Sequence, residues 1–430
     1  MSSVPILDRS HAPAPGAIAN PTLTPVQQLT LDNGVPVYII EGGTQEVTRI
    51  EFAFEAGTWH SNQKLMAGTA NAMLTEGTSE LNGPELSARL DGYGAFIQNE
   101  ASRDVASIAL YTLNRFWQET LPVFESMIKD SKVPQTALDI YLNNRRQSHL
   151  VGQEKVGVLA RQAFSGQLFG EDHPYGQQVD LEDYDAVSRA VVMEFYQKRY
   201  TARQASLFIA GKPPKALIAA LNHHFGGADW IGEHSAPFEY RLPDPQQALS
   251  IEVNKSGALQ SAIRLGRRLF SKNHPDYFPL QVTNTLLGGY FGSRLMTNLR
   301  EDKGLTYGIG SSVVPLRHSG YFFISTEVNA DATAQALEEI YKEIGKLRET
   351  SPDAKELERV KNYLLGAFLR SVSGPFSQLE QLRSRLFFDL PENYIESFPK
   401  RLQAVTSDQV QEMANRYWQE AHLIQVVAGP

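Results

Sequence analysis

Residues Leu286–Ser312 read LLGGYFGSRLMTNLREDKGLTYGIGSS, and the rest of the chain is organised around them. Leu287, Phe291, Leu295 and Leu299 recur every four positions, the spacing of one helix face. Arg300 falls on the last turn of that expected helix, and Gly304 sits where helices commonly end in a left-handed residue. The next run, Tyr307–Val314, reads as a strand. Arg300 and Tyr307 therefore lie on two elements joined by a tight turn, with polar tips placed to converge. A guanidinium grips a peptide carbonyl, and a phenol donates to an oxyanion. The bland alternative is an arginine paired with a carboxylate at a helix end, beside a half-buried strand tyrosine.

Working outward, Ala248–Leu269 gives two strands before this region and Gly320–Val328 one strand after it. A helix follows with Leu337, Ile340, Tyr341, Ile344 and Leu347 on one face. The first half of the chain runs in the same order. Asp32-Asn33-Gly34 turns a hairpin, and Val47–Glu55 is a third strand. Helices are expected at Leu65–Glu76 and Pro84–Tyr93, then strands near Ala95–Glu100 and Val105–Leu113. Asn114 is expected to cap a helix carrying Trp117, Leu121, Phe124 and Ile128, and helical patterns continue through Gln135–Phe169. Arg199-Tyr200 precedes Ala210-Gly211, just as Arg416-Tyr417 precedes Ala428-Gly429. The reading is α+β: two homologous domains, each a mainly antiparallel sheet with helices packed on it. The expected division is an N-terminal arm over 1–22, domains over 23–225 and 248–430, and a Gly- and Pro-rich linker over 226–247.

At 430 residues the chain can bury two cores, and 42% hydrophobic with 20% charged residues is a globular composition. A formal net charge of −8 argues against a nucleic-acid partner. No apolar run approaches the ~18 residues of a membrane span. The absence of cysteine excludes disulfides, thiolate metal sites and a cysteine nucleophile. The N-terminal residues have no apolar core after a basic start, so the default location is cytoplasmic, with periplasmic as the alternative if a signal peptide was removed.

The Arg300–Tyr307 spacing of seven, with Gly304-Leu305 between, resembles the pitrilysin/insulinase metallopeptidases, the inverzincins, in their non-zinc-binding partner-subunit form. The resemblance extends over nearly the whole chain. It implies two halves closing like a clam around a peptide chamber. It also implies a zinc motif, His-x-x-Glu-His, shortly before Gly77-Thr78. Here the histidine positions are Gly68 and Ala72, and the general-base position is Asn71. No histidine lies between His60 and His149, and no glutamate between Glu125 and Glu154, where the family's third ligand would stand. A catalytic zinc needs three protein ligands and an open water position, so no metal is expected on this chain. None of the ten histidines forms a His-x-x-x-His pair; adjacent His223-His224 read as surface or helix-end residues. His173-Pro174-Tyr175-Gly176 matches a structural loop of the family, and no nucleophile elbow is present.

Some bacterial members of the resembled family work as two chains, one holding zinc and the other supplying the Arg and Tyr. The resemblance therefore implies a zinc-lacking subunit, inactive alone, whose Arg300 and Tyr307 complete a partner's active site on short unfolded peptides. Zinc is expected in that partner, a heterodimer being the expected assembly and self-association the other. The alternative is a non-catalytic structural, assembly or peptide-binding protein of the same fold.

Overall fold

The structure is a computed structural model that describes residues 22–233, 238–244 and 247–430. The expected N-terminal arm lies almost wholly outside the described residues, and the expected linker partly so. Gly34, at φ +96°, makes the hairpin between β1 (Val26–Thr30) and β2 (Pro36–Glu41). β3 (Val47–Phe54), β4 (Phe96–Ala101), β5 (Ala106–Leu113) and β6 (Ala205–Gly211) complete a six-stranded sheet in the order β1-β2-β6-β3-β5-β4. The later sheet contains β7 (Leu249–Asn254), β8 (Gln260–Leu269), β9 (Ile309–Pro315), β10 (Gly320–Asn329) and β11 (Ile424–Gly429), in the order β7-β11-β8-β10-β9. Each sheet has one parallel pair, β2 with β6 and β7 with β11. Without β1 the two orders match strand for strand. The repeated Ala-Gly pairs end the two equivalent strands, β6 and β11. Two like sheet-and-helix units are thus present.

β3 and β5 are buried along almost their whole length, which requires cover on both faces. On one face of the first sheet, helices including Met66–Met73, Trp117–Lys129, Arg189–Arg199 and Leu217–Phe225 form a core with Phe52, Phe124 and Phe225. The other face is covered from the far end of the chain: Leu379 and Leu382 of helix Pro375–Phe387 pack on Ile40, Phe208 and Ala210. The second sheet receives the reciprocal helix. Ala160, Phe164 and Leu168 of helix Val156–Phe169 pack on Ala262, Val426 and Ala428. Each half thus lends a helix to the other half's sheet.

Under the first exchanged helix lies a charge network with Arg49 and Glu51 buried and Arg383 and Glu380 towards solvent. Glu51, 1% exposed on β3, accepts hydrogen bonds from Arg49 at 2.6 Å and from Arg383 of the crossing helix. Glu380 closes the ring, 2.6 Å from Arg49 and 2.7 Å from Arg383.

At the junction of the two units, Trp59 stacks on His318 with centroids 3.9 Å apart and meets His173 edge-on. Burial lowers both His60 and His173 to about 4, so both rings are neutral in the fold. The His173 Nδ1 accepts from the Tyr175 backbone N–H at 3.0 Å, an interaction that protonation would destroy. An unfolded histidine protonates near 6.5, so the unfolded state binds more protons between about pH 6.5 and 4. The stabilising contribution is complete above that window and lost as pH falls through it, on the order of 1–3 kcal/mol per ring. The thermal midpoint is therefore expected to drop from pH 7 to pH 5, and His60→Gln to flatten the drop. A midpoint unchanged over that range would refute the assignment.

Candidate functional site

The leucine periodicity of 287–299 does not make one continuous helix. The chain runs through Tyr277–Asn284 as α-helix and Thr285–Gly289 as π-helix, then breaks at Tyr290, and a second π segment spans Met296–Asp302. Leu287, Leu295 and Leu299 are fully buried, but Phe291 stands in the break and is 61% exposed. Glycine permits the first segment to press on β9: a Cβ on Gly288 would come within 2.8 Å of the Ser311 backbone nitrogen. Tyr290 then turns to an extended backbone and ends the run.

The second segment is fixed by a side chain that no sequence motif singled out. Asn298 is buried and its amide donates to Glu339 at 2.9 Å and Glu343 at 2.7 Å on helix Thr333–Glu349. Lys303 and Lys346 neutralise these carboxylates at the same oxygens, each at 2.5 Å. The Lys303 and Asn298 donors hold the Glu339 carboxyl down at about 2. Asn298→Asp would place a third carboxylate in the cluster and is expected to destabilise by ~2–4 kcal/mol, read as a lowered denaturant midpoint. A variant as stable as the parent would show that the cluster does not fix this segment.

Arg300 leaves this anchored segment one turn before Gly304, whose φ of +62° ends it as expected. Tyr307 precedes β9 rather than belonging to it, because the strand begins at Ile309. Thr306 pins the connection, donating to the Glu327 carbonyl at 2.8 Å and accepting from the Gly308 N–H at 3.1 Å. Tyr307 projects outward, 92% exposed. The Arg300 guanidinium lies 4.7 Å from the Phe291 ring centroid and 5.4 Å from that of Tyr307. Among the described residues Arg300 has no carboxylate partner, and Tyr307 is not half-buried. The two residues are neighbours, in contact through cation and ring face.

The other set of sequence-singled residues lies on helix Met66–Met73. Gly68 and Ala72 stand one turn apart, and neither carries a donor atom. Asn71 is 3% exposed, its side-chain amide donating to the Ser107 carbonyl at 3.1 Å while its backbone carbonyl accepts from the Asn99 side-chain amide at 2.9 Å. It is thus a bridge from helix to sheet, and a neutral side-chain amide is no base for a water proton. Helix Gln135–Gln153, the expected source of a third ligand, faces Gly68 with Tyr141: a Cβ on Gly68 would sit 3.7 Å from the Tyr141 hydroxyl. The donor set does not fit zinc. Among the described residues no group of three or more His, Cys, Asp or Glu is placed to hold a metal ion. His223 is exposed, whereas His224 at the same helix end is half-buried and bonds Glu125 at 2.6 Å; His234 lies outside the described residues.

A cavity of about 340 Å³ opens beside Gly68 and Thr69, and three arginines line it: Arg103, Arg145 and Arg161. No sequence motif marked them, because they come from a turn after β4 and from two different helices. Asn114, expected as a helix cap, instead ties β3 to the chain after β6, accepting from Thr48 at 2.7 Å and donating to the Lys212 carbonyl. The helix it was expected to cap begins at Trp117, after a turn of 3-10 helix. No helix among the described residues is long and apolar enough to cross a membrane.

Residues 186–364 match the sequence family described as the Peptidase M16 inactive domain. A Bacillus subtilis protein called uncharacterized zinc protease YmxG is 21% identical over 94% of this chain and 98% of its own length. A Helicobacter pylori protein called non-peptidase homolog YmxG is 21% identical over 87% of each chain. A crystal structure of a peptidase M16 inactive domain from Pseudomonas fluorescens superimposes with a TM-score of 0.85 at 24% identity, covering 94% of this chain and 98% of that one.

Proposed function

From the premise that this chain is a member of the pitrilysin/insulinase, or M16, metallopeptidase family that binds no zinc, we propose that it is the substrate-binding subunit of a two-chain zinc peptidase. In this reading a partner chain of the same fold carries the zinc and the general base. Arg300 holds a substrate carbonyl, and Tyr307 donates to the oxyanion formed at the partner's metal. The units over 23–225 and 248–430 form one half of a clam shell, and the closed chamber admits short unfolded peptides.

The observation that carries the reading is a contrast within the chain. The metal positions are occupied by Gly68, Asn71 and Ala72, whereas Tyr307 stands at the surface and the half-buried Arg300 has no carboxylate partner among the described residues, on an anchored frame. A purely structural residue at either place would gain from pairing or burial. The second reading, a non-catalytic interaction protein, draws on the Helicobacter pylori relative's name as a non-peptidase homologue.

The deciding experiment measures peptide hydrolysis with added zinc, for the purified chain alone and mixed with a zinc-motif homologue from the same organism. Activity confined to the mixture supports the complementing subunit. Chelator-sensitive activity from the chain alone overturns it, and a zinc homologue equally active with and without this chain favours the second reading.

A further inference from the structure

The arginine-lined cavity beside Gly68 has a charge pattern opposite to that of a metal site. Arg103, Arg145 and Arg161 contribute to its wall, and among the described residues no Asp or Glu does. None of the three forms an ion pair among the described residues. Arg103 instead lies near the rings of Tyr175 and Tyr321, at 6.0 and 5.7 Å from their centroids. The adjacent Asp104 is buried, with its carboxylate taken by the Tyr175 hydroxyl. In a chain of net charge −8, a cavity walled by one sign of charge and empty of counter-charge concentrates anions.

We propose that this cavity binds the terminal carboxylate of a peptide. Its volume of about 340 Å³ lies at the small end of ligand sites, enough for a terminal residue or two. Guanidinium forks match a carboxylate in two-point geometry, and the neighbouring Tyr141 lines the space for the adjoining residue. Gly68 is part of the fit, because a side chain longer than a methyl there would enter the space beside Tyr141. The position of a lost metal ligand thus becomes room for an anion. The proposal rests on the peptide-binding reading only for the choice of a peptide as the bearer of the carboxylate.

The test uses the full chain alone, without a zinc partner, and an N-terminally labelled tetrapeptide with uncharged side chains, followed by fluorescence anisotropy. The free-acid peptide is expected to bind roughly tenfold to a hundredfold more tightly than its C-terminal amide, the range for hydrogen bonds to a charged group. The double variant Arg145→Gln/Arg161→Gln is expected to abolish that preference while keeping the thermal midpoint, since both side chains are exposed and unpaired. Inorganic phosphate at millimolar concentration is expected to compete. Equal binding of acid and amide, no binding of either, or a preference that survives the double variant overturns the proposal. Binding of phosphate without binding of the acid peptide overturns the peptide assignment. Loss of the acid-over-amide preference with hydrolysis in the zinc mixture intact, or the preference intact without hydrolysis in the mixture, makes the failure of this proposal and that of the complementation reading separately visible.

Discussion

In a mixture of this chain with the proposed zinc-bearing partner, Tyr307→Phe is expected to lower kcat for peptide hydrolysis by ~10²–10³ with little change in KM. The asymmetry follows from what the phenol does in the proposed assembly. Its hydroxyl donates to an oxygen that carries negative charge only once water has added to the carbonyl, so the interaction strengthens in the transition state and not before. Arg300 acts differently, because a guanidinium holds the carbonyl of bound substrate as well. Arg300→Ala is expected to raise KM and lower kcat together. Arg300→Lys is not expected to rescue it, since an ammonium loses the planar contact with Phe291 and Tyr307. Neither change touches the core: Tyr307 is 92% exposed, and its backbone is held by Thr306 rather than by its ring. Stability should therefore stay constant and serve as the control. Full kcat in an active mixture containing Tyr307→Phe would remove Tyr307 from the chemistry.

The pairing of Arg300 with Tyr307 was legible because a turn ending in Gly304 keeps seven-residue neighbours close in space. That Gly68 and Ala72 carry no ligand atom was legible for a simpler reason: a missing donor needs no geometry to be recognised. The break at Tyr290 was not legible, because the leucines keep their spacing across it. Periodicity records which residues are buried, and Leu287 and Leu295 are buried by two separate segments. Phe291 carries the same hydrophobic signal as those leucines, yet it stands in the gap where it meets the Arg300 guanidinium. The helix exchange was hidden in a similar way. Ala160, Phe164 and Leu168 announce an apolar face at helical spacing, but nothing local says that its partner is a sheet formed from the other half of the chain. Arg103, Arg145 and Arg161 converge only through the tertiary fold. In sequence each is an ordinary solvated charge.

The exchange also supplies the largest expected stability effect. Arg383→Met is expected to destabilise the protein by ~3–5 kcal/mol, the range for stripping one partner from a buried ion pair. Glu51 is almost completely buried on β3, and desolvation alone pushes its carboxyl above the ordinary range; Arg383 and then Arg49 oppose that push. Without Arg383, the carboxylate depends on Arg49, which already shares its guanidinium with Glu380. Glu380 is 40% exposed on its side chain, so Glu380→Gln is expected to cost less than ~1 kcal/mol. Adding Glu51→Leu to Arg383→Met is expected to restore part of the loss, because an apolar side chain on β3 needs no counter-charge beneath the crossing helix. The measurement is the urea midpoint of each variant, together with protease cleavage at the ends of helix Pro375–Phe387. Since that helix belongs to the second half by sequence and to the first sheet by packing, losing the Arg383 contact should expose the helix to cleavage and loosen the two halves together. A loss below about 1 kcal/mol for Arg383→Met would mean that Leu379 and Leu382 hold the exchanged helix without help from the charges.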